Sequence, residues 1–185
     1  MKVIAGEFKR RNLHTLEGMN TRPTTARNKE NIFNVIGPYF DGGISLDMFG
    51  GSGSLSIESL SRGIEKAVII DNSKEAISVI KKNIQMLGIE QRVQLTKDDY
   101  MSGMKSCANK DMQFDLILID PPFRMLVIDE IIEFIDKHNL LKEDGIIMAE
   151  YFKDNIFEQK FENIYSYRFL DYGTSHIKLY TRGEK

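Results

Sequence analysis

The stretch Ile44-Ser45-Leu46-Asp47-Met48-Phe49-Gly50-Gly51-Ser52-Gly53 decides the fold. An apolar run ends in an acid and breaks into a glycine-rich turn, and a helix-compatible segment, Ser54 to Ser61, follows. Strand, tight loop and helix in that order open a nucleotide-binding α/β unit. Glycines let backbone approach a ligand closely, and the helix start offers N–H groups without intrahelical partners. A dinucleotide is a poor match. From Gly51 the sequence reads Gly-Ser-Gly-Ser-Leu-Ser, so the third glycine of the pyrophosphate fingerprint is missing. Asp47 would also repel a phosphate, whereas a ligand with an amino group and a positive centre, such as S-adenosylmethionine, suits it.

Working outward, apolar strands are expected at 44–48, 67–70, 93–96, 114–119 and 146–150. Helical segments lie between them. Lys74 to Leu87 places Ile77, Ile80, Ile84 and Leu87 on one face, and Ile128 to His138 does the same with Ile128, Ile131, Ile132 and Ile135. This alternation implies a mostly parallel sheet covered by helices on both faces. The tail changes rhythm: 165–170 and 176–181 are joined by five residues, which leaves room only for an antiparallel hairpin at the sheet edge. At the other end, residues 1–20 read as a short extended pair. Thr24 or Thr25 caps a helix running from Ala26 to Ile36, and Pro38 and Gly42-Gly43 end it.

Ligands of open α/β sheets collect at the carboxyl ends of the strands, and acids recur there. Asp47 ends the first strand, Asp71 with Asn72 the second, Asp98-Asp99 follow the third, and Asp120-Pro121-Pro122-Phe123 follow the fourth. Asp71 is placed to accept from two ribose hydroxyls, and Asp98 or Asp99 from an adenine amine; Asp47 would face a methionine amino group. Each of these acids also has a plainer reading as a helix N-cap. The two prolines cannot donate to a sheet, so they stiffen the turn. A rigid turn aims the Asp120 carboxylate and the Pro121 carbonyl at one point, which suits a planar NH2 group. Phe123 can stack on the ring that carries the amine.

Composition sets bounds. The chain has 185 residues, 42% hydrophobic and 28% charged, with Cys107 as its single cysteine. One domain over 1–185, no disulfide, no membrane span and a cytoplasmic setting are expected. His14, His138 and His176 are scattered without ligand spacing, so no metal is assigned. The net charge of −2 conceals an asymmetry: residues 1–40 hold seven basic side chains against three acidic ones, a net +4 on a body of −6. A phosphate-contacting arm has that form, and so has an ordinary solvated face.

The chain resembles a known family. Asp47-x-Phe49-Gly50-Gly51-Ser52-Gly53 with Asp120-Pro121-Pro122-Phe123 is similar to class I S-adenosylmethionine-dependent methyltransferases acting on exocyclic or amide nitrogens. Ile4-Ala5-Gly6 with Arg11 and Leu13, Arg22-Pro23-Thr24-Thr25-x-Arg27, Glu30-x-x-Phe33-Asn34, Leu60-Ser61-Arg62-Gly63 and Tyr172-Gly173 narrow the resemblance to the bacterial RsmD family. It implies a Rossmann-like α/β core over 41–185 with a seven-stranded, mostly parallel sheet and a C-terminal antiparallel hairpin. It also implies an N-terminal β-hairpin and helix extension over 1–40 that contacts RNA. The implied activity is methylation of the N2 of one guanine in 16S ribosomal RNA, within a 30S subunit or an assembly intermediate. Arg10, Arg11, Arg22, Thr24 and Arg27 would then meet the RNA, and Phe123 would receive a swung-out base. Lys9-Arg10-Arg11 stands where relatives carry Arg-Gly-Arg, and Gly50 where many carry Ala. Competing readings are an N-methyltransferase of DNA adenine, another RNA or protein glutamine, a nicotinamide-dependent oxidoreductase, and a non-catalytic RNA-binding relative.

Overall fold

A computed structural model describes residues 1–16, 26–122, 125–152, 160–173 and 175–183. Seven strands form one sheet: β1 (Ile44–Asp47), β2 (Lys66–Asp71), β3 (Val93–Lys97), β4 (Phe114–Ile119), β5 (Leu141–Phe152), β6 (Ile164–Asp171) and β7 (Ser175–Arg182). Their order is β3-β2-β1-β4-β5-β7-β6. The first five run parallel, and β7 pairs antiparallel with both β5 and β6. From β1 the chain winds out to β3, then returns to place β4 on the other side of β1. The crevice between the carboxyl ends of β1 and β4 is therefore the topological switch point, where such sheets bind ligands.

Helices α1 (Ala26–Ile36), α2 (Ser54–Ser61), α3 (Lys74–Leu87), α4 (Tyr100–Ala108) and α5 (Ile128–Lys137) cover the two faces. Alternation along β4 shows the division: Leu116 and Leu118 pack with Ile32, Phe33, Ile57 and Ile80, while Ile117 and Ile119 pack with Met104, Ile131, Ile132 and Ile135. A strand buried on both faces reads as an unbroken apolar run, which is why β4 was plain in the sequence.

The expected elements are present, with three differences. The C-terminal hairpin is antiparallel as expected, but its second strand is interior and β6 is the edge. β5 begins five residues before the apolar run, at Leu141; its register with β4 shifts between Phe114 and Leu116, so the polar residues 142–144 bulge outward. α4 was not foreseen because Gly103 and two serines dilute its apolar period. Its start is fixed locally by Asp99, whose Oδ1 accepts from the Met101 and Ser102 N–H groups at 3.1 and 3.0 Å. The capping role read for Thr24 or Thr25 lies outside the described residues.

The N-terminal pair forms a single antiparallel bridge, Lys2 with Asn12. Its stability comes from α2, all eight of whose residues are buried. Glu58 on α2 accepts from the Ile4 and Ala5 N–H groups at 2.9 and 3.0 Å and from Arg62 Nε and Lys29 Nζ at 2.9 and 3.1 Å. Burial pushes the Glu58 carboxyl upward, but Lys29, the Ile4 N–H and Arg62 outweigh it, and the group lies below the usual carboxylate range. Burial lowers Lys29, which Glu58 opposes; Arg62, always charged, keeps Glu58 ionised. Lys29, 1% exposed, is therefore not among the phosphate-facing charges of the basic extension. Gly6 completes the contact with φ +80°; a Cβ there would lie 1.7 Å from the Ser61 carbonyl oxygen. Glu58→Gln leaves two buried cations short of their anion and should cost about 3–5 kcal/mol, read as a fall in Tm of roughly 10 °C. An unchanged Tm would contradict this account of how the extension is held.

Candidate functional site

The glycine loop is shaped from below. Asp47 is 2% exposed; its Oδ2 accepts from Ser56 Oγ at 2.7 Å and its Oδ1 from the Phe49 N–H at 3.2 Å. The sequence reading has Asp47 facing a ligand; the structure buries it under the loop, tied to Ser56 and Phe49. Burial pushes its carboxyl up to about 6, against the pull of Ser56 and Phe49, with a further push from Asp71. Gly50 N–H donates to the Ile70 carbonyl at 3.0 Å, and Gly53, with φ 77°, turns the chain into α2. Phe49 meets the Tyr100 ring at 5.5 Å between centroids. Gly51 and Ser52 are partly exposed at the top of the loop.

Asp71 ends β2 beside the loop. Its Oδ2 accepts from Gly51 N–H and its Oδ1 from Ser73 N–H, both at 2.8 Å. The helix cap itself is Ser73, so Asp71 is not the N-cap of α3. Each Asp71 oxygen retains a lone pair. Asn72 is exposed next to it. Asp98 and Asp99 are both exposed at the end of β3. Asp99 is committed to capping α4, and hydrogen bonds from Ser102 hold its carboxyl below the usual range. Asp98 accepts from the Asp99 N–H at 2.9 Å, and its own N–H donates to the Asp71 carbonyl at 3.1 Å, so the two strand ends are joined.

Across the switch point, Asp120 follows β4. Burial pushes its carboxyl well above the usual range, and the negative charges of Glu150 and then Asp47 push it further. Beside it opens a cleft lined by Asp120, Pro121, Pro122, Met125, Leu126, Ile128, Asp129, Glu150, Tyr151, Phe152 and Ser175. Pro122 turns the chain through its carbonyl, which accepts from the Met125 N–H at 2.9 Å. Phe123 lies outside the described residues, as do Arg22 and Thr24. Glu150 was missed in the sequence although its signal, an acid closing the apolar run 146–150, matched that of Asp120. Tyr151 had no such signal. Its hydroxyl bonds to the Tyr180 hydroxyl at 2.6 Å and donates to Asp129 Oδ1 at 3.3 Å, which closes the back of the cleft. Burial raises all three groups, Tyr180 to about 12.

Of the basic residues singled out in the sequence, Arg10, Arg11 and Arg27 are exposed. Arg11 Nη2 donates to the Met86 carbonyl at the end of α3 at 3.0 Å. Arg10 sits at the hairpin turn with φ 70°.

A family model described as conserved hypothetical protein 95 matches residues 1–181. The chain belongs to this family. YlbH of Bacillus subtilis is 37% identical over 98% of this chain and 99% of its own length. The ribosomal RNA small subunit methyltransferase D of Haemophilus influenzae is 32% identical over 91% of this chain and 92% of its own. Among solved structures, yhhF of Escherichia coli superposes with a TM-score of 0.85 at 28% identity, covering 98% of this chain and 97% of that one. HI0767 of Haemophilus influenzae gives 0.77 at 28%, covering 99% and 98%. The family is the RsmD family and the chain is a methyltransferase. Among the described residues, no helix is long and apolar enough to cross a membrane.

The Asp47 carboxyl, at about 6 when folded against an ordinary 3.8, holds its proton more tightly in the folded chain. Its stabilisation is complete below about pH 4 and is lost as pH rises through about 6. Asp47→Asn should therefore raise the unfolding free energy at neutral pH by on the order of 2–3 kcal/mol and flatten the profile between about pH 4 and 6. Denaturant titrations across that range check this; parallel profiles for the two proteins would refute it.

Proposed function

We propose that this methyltransferase moves the methyl group of S-adenosylmethionine to the exocyclic N2 of a guanine in 16S ribosomal RNA, presented in a small subunit or an assembly intermediate. The observation that carries the cofactor is the gathering of Asp47, Asp71, Asp120 and Glu150 around the switch point, where burial drives the Asp47 and Asp120 carboxyls upward, the charge of Asp71 adding to the first and those of Glu150 and Asp47 to the second. A donor with a sulfonium and an ammonium group offsets that negative charge, whereas a phosphate adds to it. The donor set thus fits an organic cation, and the relative named as a small-subunit ribosomal RNA methyltransferase supports the RNA substrate.

When bound, S-adenosylmethionine supplies an electrophilic methyl on a positive sulfur. The chain's residues do the rest. Phe49, Gly50, Gly51, Ser52 and Gly53 bring backbone against the cofactor over the buried charge of Asp47. Asp71, with Asn72 beside it, receives the ribose hydroxyls on its remaining lone pairs. Asp98 is the better placed of its pair for the adenine amine, because Asp99 is spent on its cap. Asp120 and the Pro121 carbonyl accept the two hydrogens of the guanine amine and orient its nitrogen toward the methyl. The stiff Pro121-Pro122 turn fixes that aim, and Phe123 stacks on the base. Alignment supplies most of the rate. Arg10, Arg11, Arg22, Thr24 and Arg27 hold the RNA over the cleft. The domain reading follows: one catalytic unit over 1–185, its first 40 residues turned to the RNA.

Because Asp120 accepts best when ionised and its carboxyl is raised, the transfer rate should climb with pH until that group has lost its proton. The test is transfer of labelled methyl to small-subunit particles from cells lacking the corresponding gene, with the modified nucleoside identified by mass. N2-methylguanosine at one site is expected. Asp120→Ala should lower kcat by about 10²–10³-fold. Asp120→Asn, which keeps a carbonyl acceptor, should lose less and show a flatter pH profile. Cofactor binding without transfer to these particles would overturn the RNA reading.

A further inference from the structure

Two buried polar side chains each touch both the N-terminal extension and the flank of the glycine loop. Asn83 on α3 is fully buried. Its Oδ1 accepts from the His14 N–H at 2.7 Å, and its Nδ2 donates to the His14 carbonyl at 3.0 Å and to the Ser52 carbonyl at 2.9 Å. Lys29 on α1 has the same double attachment. Its Nζ donates to the Lys2 carbonyl and to Ser54 Oγ, both at 3.0 Å, besides pairing with Glu58. Ser52 and Ser54 flank Gly53, the residue at which the loop becomes helix. Lys2 pairs with Asn12 in the bridge of the hairpin that carries Arg10 and Arg11, and His14 lies two residues beyond that bridge.

We propose that Asn83 and Lys29 are positioning residues that couple the cofactor loop to the N-terminal hairpin, so that cofactor and RNA each tighten the binding of the other. This rests on the reading that the loop takes S-adenosylmethionine and the hairpin meets RNA. The physical argument is one of shared order. Asn83, itself fully buried, makes three hydrogen bonds, and all three hold only while the loop and residue 14 keep one relative placement. A ligand that fixes the loop at Ser52 therefore fixes the carbonyl that Asn83 holds, and through Asn83 both backbone groups of His14. Lys29 does the same between Ser54 and Lys2. Binding that pays once for ordering both segments leaves less to pay for the second ligand. By linkage the effect is equal in both directions. Neither side chain faces the cleft beside Asp120, so the chemical step itself is not their task.

The experiment measures the affinity of unmethylated small-subunit particles for the protein with and without saturating S-adenosylhomocysteine, and the affinity for S-adenosylhomocysteine with and without particles. In the wild type each ligand should tighten the other by about 5-fold or more. Asn83→Ala should bring that factor near one while each affinity measured alone changes far less. Ser54→Ala, which removes a single hydroxyl and leaves the Lys29–Glu58 pair intact, should reduce the factor partway without loss of folding; it guards against Asn83→Ala being merely unfolded. A wild-type protein that binds both ligands with no mutual effect would overturn the coupling alone, as would an undiminished factor in a folded Asn83→Ala or Ser54→Ala. A wild type that binds S-adenosylhomocysteine but not the particles would overturn the RNA reading beneath it.

Discussion

Carboxyl groups held away from water keep their protons more tightly, and burial of this kind, with neighbouring negative charge adding to it, governs the switch between β1 and β4. Asp47 lies under the loop and Asp120 opposite it, and Glu150 lies two residues before the end of the neighbouring β5. Asp47 and Asp120 are where they are because a parallel strand ends there. The fold thus converts strand order into a concentration of negative charge at one crevice. Asp47, its carboxyl pushed up to about 6, costs the protein stability at pH 7. A site that is unfavourable when empty and favourable when it holds a cation ties cofactor binding to the stability of the loop around it.

The second constraint lies one layer away, at α2. A helix buried on all sides with four serines and a glutamate needs a partner for every polar group. Ser56 donates to Asp47, Ser61 Oγ donates to the Ala5 carbonyl, and Glu58 receives the backbone of residues 4 and 5. One face of α2 therefore completes the glycine loop while the other holds the hairpin. The chemistry at the crevice and the basic extension are built on the same eight residues.

Much of this was legible in the sequence, and the reasons for the rest are specific. The glycine loop and the strand-end acids are local signals, and the strands and helices they imply stand where the spacing put them. Two features depend on chain segments far apart and left no local mark. Asn83 read as one more polar residue on α3, yet it is fully buried because residues 14 and 52 converge on it. Lys29 counted as one of the basic arm's charges, and only the packing of α1 on α2 shows it paired inside. Asp99 could cap a helix or face an adenine; the helix it caps had a period too weak to see. Glu150 is different: its signal was present, and it went unused because no turn residue followed to draw attention to it.

The most direct test of the charge argument is the number of protons exchanged when cofactor binds. Calorimetric titration of S-adenosylmethionine at about pH 6, repeated in buffers of different ionisation enthalpy, gives that number. The account predicts net proton release from Asp47 and Asp120 as the sulfonium and ammonium charges arrive. It also predicts a smaller release with S-adenosylhomocysteine, which lacks the sulfonium. Proton uptake, or equal exchange with both compounds, would contradict it.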